Sequence, residues 1–255
     1  MSLEHADATE DAVLGGRLIL RQPRRGHRVG HDAILLAAAT AARPGEHAVE
    51  LGAGVGAAGL ALAQRVPGVT VMLVDIDPAL TALAKDNAAR NALSAAVRAV
   101  SLDVAAPSAD FAAVGLAAGS ADRVLMNPPF NTSDNPSPDR DRRTAYAGSP
   151  ETLRRWVETA SRLLRPAGTL TLIWRADGLA DVVAALAGGF GAVSLLPVYS
   201  KPGAPAIRVL VRAAMAPRAP LTLLPGLLLA DSSGRPTIEA EAILRAGEVL
   251  PLACD

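Results

Sequence analysis

Residues 49–56 read Val-Glu-Leu-Gly-Ala-Gly-Val-Gly. A short apolar run enters three glycines spaced G-x-G-x-G, and the helix-period segment 57–64 leaves them. This is the sequence form of a strand, a tight turn and a helix. Glycines let the chain turn sharply and let backbone N–H groups approach a ligand closely. The same cluster also describes a close-packed turn without a ligand, so its neighbours have to decide. Glu50 stands two places before Gly52. A carboxylate so near Gly52, Gly54 and Gly56 would repel a pyrophosphate and welcome a ligand bearing an ammonium and a sulfonium. The pattern points away from a nicotinamide dinucleotide and toward S-adenosylmethionine.

From about His47 onward, short apolar runs alternate with longer helix-period segments, which argues for a parallel sheet with crossover helices. The spacing predicts strands near 48–51, 70–74, 97–102, 123–126, 169–174, 192–197 and 207–212, and helices near 57–64, 78–91, 150–164 and 178–186. The link 199–205 between the last two strands is too short for a helical crossover, so the final strand enters antiparallel. The expected fold is α/β and Rossmann-like, a seven-stranded, mostly parallel sheet with the last strand antiparallel. No repeat or low-complexity linker divides the chain, so a single domain is expected over 1–255. Its parts are an N-terminal extension (1–45), a catalytic core (46–213) and a tail (214–255) packed on the core, with a helix near 238–245.

In 74–77, Val-Asp-Ile-Asp, Asp75 falls at the carboxyl end of the second core strand, about twenty residues after the glycines, where an acidic side chain accepts ribose hydroxyls. Ile76 would then lie against the adenine face. Asp77 before Pro78 reads as a helix N-cap. Asp103 ends the third core strand and is the natural acceptor for an adenine amino group. A single strand-end aspartate is usually a cap, so the weight rests on Glu50, Asp75 and Asp103 together.

The fourth core strand runs Val124-Leu-Met126 into Asn127-Pro128-Pro129-Phe130. Two prolines remove two backbone donors and make the chain leave the sheet stiffly. In an open α/β sheet ligands bind outside the carboxyl ends of the strands at the switch point, so Asn127 belongs beside the cofactor. Its side-chain oxygen and the Pro128 carbonyl can accept two hydrogen bonds from a planar amino group, and Phe130 offers a face for a base to stack on. Amide and exocyclic amine nitrogens are poor nucleophiles, so orientation supplies much of the rate. The catalytic candidates are therefore Asn127, Pro128, Pro129 and Phe130. Asn127 also counts among the cofactor neighbours.

With 25 basic and 25 acidic residues the net charge is zero, which excludes binding of nucleic acid through bulk charge. A local patch is offered by Arg17, Arg21, Arg24, Arg25, His27 and Arg28, with no acidic residue between Leu14 and Asp32. Arg140, Arg142 and Arg143 follow in the polar segment 131–148, whose length suits a binding loop. Arg24, Arg25, Arg28, Arg140, Arg142 and Arg143 are the substrate-binding candidates, although a run of charge also describes a solvated face. The single cysteine, Cys254, excludes a disulfide framework and a multi-cysteine zinc site. No metal is expected. No apolar run reaches the roughly 18–20 residues a membrane span needs. The acidic N-terminus lacks the form of a secretory signal, so the expected location is the cytoplasm.

The motifs E-L-G-A-G-V-G, V-D-I-D, S-L-D-V and N-P-P-F, in this order, resemble class I S-adenosylmethionine-dependent methyltransferases that act on nitrogen. Leu14-Gly-Gly-Arg-Leu, Gln22-Pro, residues 28–38 and the closing segments 206–212 and 237–245 are similar to bacterial tRNA(Val) adenine-N6 methyltransferases. The resemblance implies S-adenosylmethionine as cofactor, tRNA or another RNA as partner, and methylation of an adenine N6. It also implies that Gly30 and Asp32 lie over the methyl donor. The same tetrapeptide occurs in enzymes acting on guanine N2 or on a protein glutamine amide, so by itself it specifies a planar nitrogen and not which one. The non-enzymatic alternative is an RNA chaperone that binds the cofactor.

Overall fold

The computed structural model describes residues 8–24, 28–129, 149–215 and 219–254. The chain opens with an antiparallel hairpin, β1 (Ala8–Val13) and β2 (Leu18–Pro23), followed by α1 (His31–Ala39). Then come β3 (His47–Leu51), α2 (Ala57–Arg65), β4 (Thr70–Asp75), α3 (Pro78–Arg90), β5 (Val97–Ser101), α4 (Ser108–Ala113) and β6 (Ala121–Met126). The second half adds α5 (Pro150–Leu163), β7 (Leu164–Arg175), α6 (Leu179–Leu186), β8 (Gly191–Tyr199) and β9 (Ala206–Ala214). Two short strands, β10 (Thr222–Leu223) and β11 (Leu227–Leu228), and α7 (Ile238–Leu244) close it.

The seven strands from β3 to β9 lie in the order β8-β9-β7-β6-β3-β4-β5, and β9 is antiparallel to both its neighbours, as the short link before it requires. The sheet is wider than the seven strands expected. β10 and β11 both pair in parallel with β8, making nine strands. These residues read as tail in the sequence because each strand is only two residues long and Pro225-Gly226 separates them. They pair with the outer edge of β8, which would otherwise offer unpaired backbone groups.

Alternation along the strands sends side chains to two layers. Ala48, Leu73, Leu125 and Ile173 pack with α1, α2 and α3 on one face, and Val49, Val74, Met126 and Leu172 pack with α4, α5 and α6 on the other. Helix starts follow local chemistry. Asp77 caps α3 by accepting from the Ala79 N–H with Pro78 in the first turn, Ser149 caps α5 at the Thr152 N–H with Pro150 likewise, and Thr237 caps α7 at the Ala240 N–H without a proline. The tail is tied back by the Leu250 N–H donating to the Ala38 carbonyl at 2.9 Å. No described helix is long and apolar enough to cross a membrane.

Candidate active site

β3 is flanked by β4 and β6, with Leu51 opposite both Val74 and Met126, so the turn after β3 lies between Asp75 and Asn127. This is the switch point of the sheet, where one connection leads to each side. Gly52, with φ at 69°, could not carry a side chain even if the backbone allowed it. A Cβ there would fall 2.3 Å from the ring of Trp156 on α5. Gly54, at φ 56°, is different, because a Cβ would meet nothing within 4 Å. The close approach is thus filled by protein at Gly52 and open at Gly54. Gly56, at φ 85°, caps α2 in a left-handed conformation.

Asp75 is buried and holds this turn in place. Its Oδ2 accepts from the Gly54 N–H at 2.7 Å and its Oδ1 from the Asp77 N–H at 2.9 Å. Each oxygen keeps a further lone pair. Ile76 beside it is 48 % exposed, a large apolar face left in solvent next to a carboxylate. Asp103, just past β5, is exposed, and its Oδ1 accepts from the Ala105 N–H at 2.8 Å. Glu50 lies on β3 two residues before the glycine turn. It points into the layer beneath α2, where its Oε2 accepts from the Gly59 N–H at 2.7 Å. Burial pushes its carboxyl up to about 8, the Gly59 hydrogen bond opposes this and the nearby Asp75 adds to it. Glu50 therefore ties α2 to β3 under the glycine turn through Oε2, with burial favouring its neutral form, while Asp75 and Asp103 stand beside it at the edge.

Asn127, the first residue beyond β6, carries the most informative atom of the site. Its Oδ1 is buried and has no donor within the described residues. Leaving such an acceptor unmet costs about 1–3 kcal/mol, so this buried orphan calls for a partner beyond the described residues. Pro128 is buried and Pro129 exposed, so the chain turns out of the sheet at this point. Phe130 lies outside the described residues.

Gly30 caps α1 with extended backbone, and Asp32 in the first turn accepts from Arg208 Nε on β9 at 2.9 Å. This ion pair ties the start of α1 to the carboxyl edge of the sheet, two strands from Asn127. Sequence reasoning gave Arg208 no role, because nothing local links positions 32 and 208. Nor did it find Trp156, which reads simply as the aromatic of an amphipathic helix.

The arginine run does not form one free patch. β1 brings Asp11 to Arg28 at 2.8 Å, and Arg17 donates to the Arg245 carbonyl. Arg21 is buried, whereas Arg24 is exposed at the end of β2. The sequence showed no acid near Arg28 because its partner comes from across a hairpin. Arg25, His27, Arg140, Arg142 and Arg143 lie outside the described residues. Among the described residues no group of His, Cys, Asp or Glu is arranged to hold a metal ion.

Residues 28–199 match the family model described as Methyltransferase small domain. The chain belongs to that family. A tRNA1(Val) (adenine(37)-N6)-methyltransferase of Porphyromonas gingivalis is 34% identical over 159 residues, and the match spans 61% of each chain. A protein of the same name from Bacteroides thetaiotaomicron is 29% identical over 188 residues, 72% of this chain and 75% of that one. Among solved structures, one described as a predicted O-methyltransferase, Atu636 from Agrobacterium tumefaciens, is 28% identical, with a TM-score of 0.72 over 86% of this chain and 97% of that one. TrmN from Thermus thermophilus shares the fold at 24% identity and a TM-score of 0.51, over 71% of this chain and 47% of that one.

Proposed function

We propose that this chain transfers a methyl group from S-adenosylmethionine to the exocyclic N6 of an adenine in tRNA, in the cytoplasm. The hairpin, core and tail would act as one domain. The observation that carries the reading is the Oδ1 of Asn127, buried and without a donor among the described residues, beside the open side of the glycine turn. An amino group has two hydrogens to give, and this oxygen with the Pro128 carbonyl would accept both. The names of the curated relatives supply the base and the RNA.

S-adenosylmethionine, when bound, supplies a methyl group on a sulfonium. The open side of the turn at Gly54 and Asp75 would hold it, with Asp75 accepting from the ribose hydroxyls, Ile76 against the adenine and Asp103 on the adenine amino group. Asn127 and Pro128 would fix the plane of the target amine and so aim its lone pair, which is the contribution that a weak nucleophile needs. Phe130 would hold the base by stacking. The surplus proton of the methylated nitrogen is acidic and leaves to water.

The O-methyltransferase description of the Agrobacterium structure supports a second reading, transfer to a hydroxyl. A hydroxyl has one hydrogen to donate and would use only one of the two acceptors. Incubating the protein with methyl-labelled S-adenosylmethionine and total tRNA, release factor or hydroxylated small molecules, then locating the label, separates these. Label in N6-methyladenine is expected. Label in guanine, in a glutamine amide or on oxygen reassigns the acceptor, and no label in any substrate leaves a binding protein.

A further inference from the structure

Asn87 and Asn91 lie one turn apart, Asn87 near the end of α3 and Asn91 as its C-cap, both turned toward the outer edge of β2. Asn91 Oδ1 accepts from the Ile19 N–H at 2.9 Å, and its Nδ2 donates to the Ile19 carbonyl at 2.8 Å. Asn87 repeats this at Arg21, with Oδ1 accepting from the N–H at 2.7 Å and Nδ2 donating to the carbonyl at 3.0 Å. The fit follows from two repeats. Four helical residues rise about 6 Å and two strand residues about 6.6–6.8 Å, so side-chain amides at i and i+4 can serve backbone groups at j and j+2. The free edge of a two-stranded hairpin is thereby paired by a helix.

The two asparagines differ in one respect. Asn87 is fully buried, and its Nδ2 also donates to the carbonyl of Val55 at 3.0 Å, within the glycine turn. A single side chain therefore joins the turn beside Asp75 to the strand that ends just before exposed Arg24. The geometry points to Asn87 as a positioning residue that couples the cofactor turn to the N-terminal hairpin, so that occupancy of the turn tightens the hairpin on the substrate side. This inference rests on the proposed use of the turn for S-adenosylmethionine. Asn91, which grips the same strand without reaching the turn, is the internal control.

Hydrogen exchange of the full-length protein with and without S-adenosylhomocysteine tests this directly, because the Arg21 and Ile19 amides themselves make the bonds in question. The wild-type Arg21 amide is expected to exchange more slowly with the ligand bound. In Asn87→Ala this slowing should vanish and ligand affinity should fall about three- to tenfold, the range of one net hydrogen bond. Asn91→Ala should speed exchange at Ile19 but keep affinity within twofold and retain the slowing at Arg21. Asn87→Asp, which keeps the acceptor and loses the donor, should behave like Asn87→Ala toward the ligand. Unchanged Arg21 exchange in a wild-type protein that binds S-adenosylhomocysteine overturns the coupling, as does equal loss of affinity in the Asn87 and Asn91 variants. Failure of the wild-type protein to bind the ligand overturns the proposed function, and the coupling falls with it.

Discussion

The two ends of the same sheet are finished in opposite ways. At the amino edge charges are paired within the chain. Arg123 forks onto Glu46 through Nε and Nη2 at 2.9 and 2.8 Å and donates from Nη1 to Thr169, while Asp122 accepts from the His47 N–H and from Arg165. At the carboxyl edge an amide oxygen is buried without a donor among the described residues, an isoleucine lies half in solvent and an aspartate stands exposed. One end is closed by the chain's own contacts, and the other keeps unmet polar capacity among the described residues. The lesson is that unmet capacity, more than residue type, separates a working edge from a structural one.

The comparison can be broken most strongly at Arg123. Replacing it by Ala would leave the partly buried Glu46 without its cation, and breaking a fully buried pair costs about 3–5 kcal/mol, so a loss toward or below the low end of that range is expected. Chemical denaturation should show that loss, and calorimetry should find S-adenosylhomocysteine affinity unchanged in the folded fraction. A loss of affinity would mean that the two edges are not independent.

Next in size is the pH response, where the two edges should differ in sign. Glu50 is raised to about 8 from 4.5 by burial, so between these values the folded state holds a proton that the unfolded chain releases. Its contribution to stability is complete below pH 4.5 and is lost as pH rises to about 8, at about 1.4 kcal/mol per unit for one proton. Burial lowers His47 at the amino edge, against the opposing charge of Asp122, so its contribution is present above pH 6.5 and is lost on acidification. Glu50→Gln retains an acceptor for Gly59 and should raise the melting temperature at pH 8 but not at pH 4.5. Parallel curves for the variant and wild type would remove Glu50 from this account.

A third effect sharpens the contrast within the carboxyl edge. Asn127→Ala should lower single-turnover methyl transfer about a hundredfold, the usual loss for one preorganised polar contact, and leave S-adenosylhomocysteine affinity nearly intact. Since the orphan oxygen is removed, stability should hold or rise slightly. Near wild-type transfer would sever this atom from the chemistry.

The smallest effect compares two arginines of the hairpin region. Arg28 is engaged with Asp11, so Arg28→Gln should change stability by about 0–1 kcal/mol, as exposed pairs do. Arg24→Gln should instead reduce the salt dependence of RNA binding by about 0.7 in log–log slope if it meets one single-strand phosphate. Equal slopes for both variants would show that the ion pair does not decide which arginine reaches RNA.

Much of the architecture was written locally. Gly52, Gly54 and Gly56 must turn the chain, Asp77-Pro78 must start a helix, and Pro128-Pro129 must end a strand, because each acts through its own backbone and immediate neighbours. Sequence alone therefore determined the order of the core strands along the chain, the antiparallel entry of β9, and Asp75, Asp103 and Asn127 as strand-end polar residues. Tertiary structure decided what pairs over distance. It set Glu50 beneath α2, turned Arg28 toward Asp11, laid two tail segments along β8 and gave Asn87 its place between Arg21 and Val55. None of these leaves a periodic signal, because each needs a partner, from nine residues away for Glu50 to 66 for Asn87, whose position exists only once the sheet and its helices have packed.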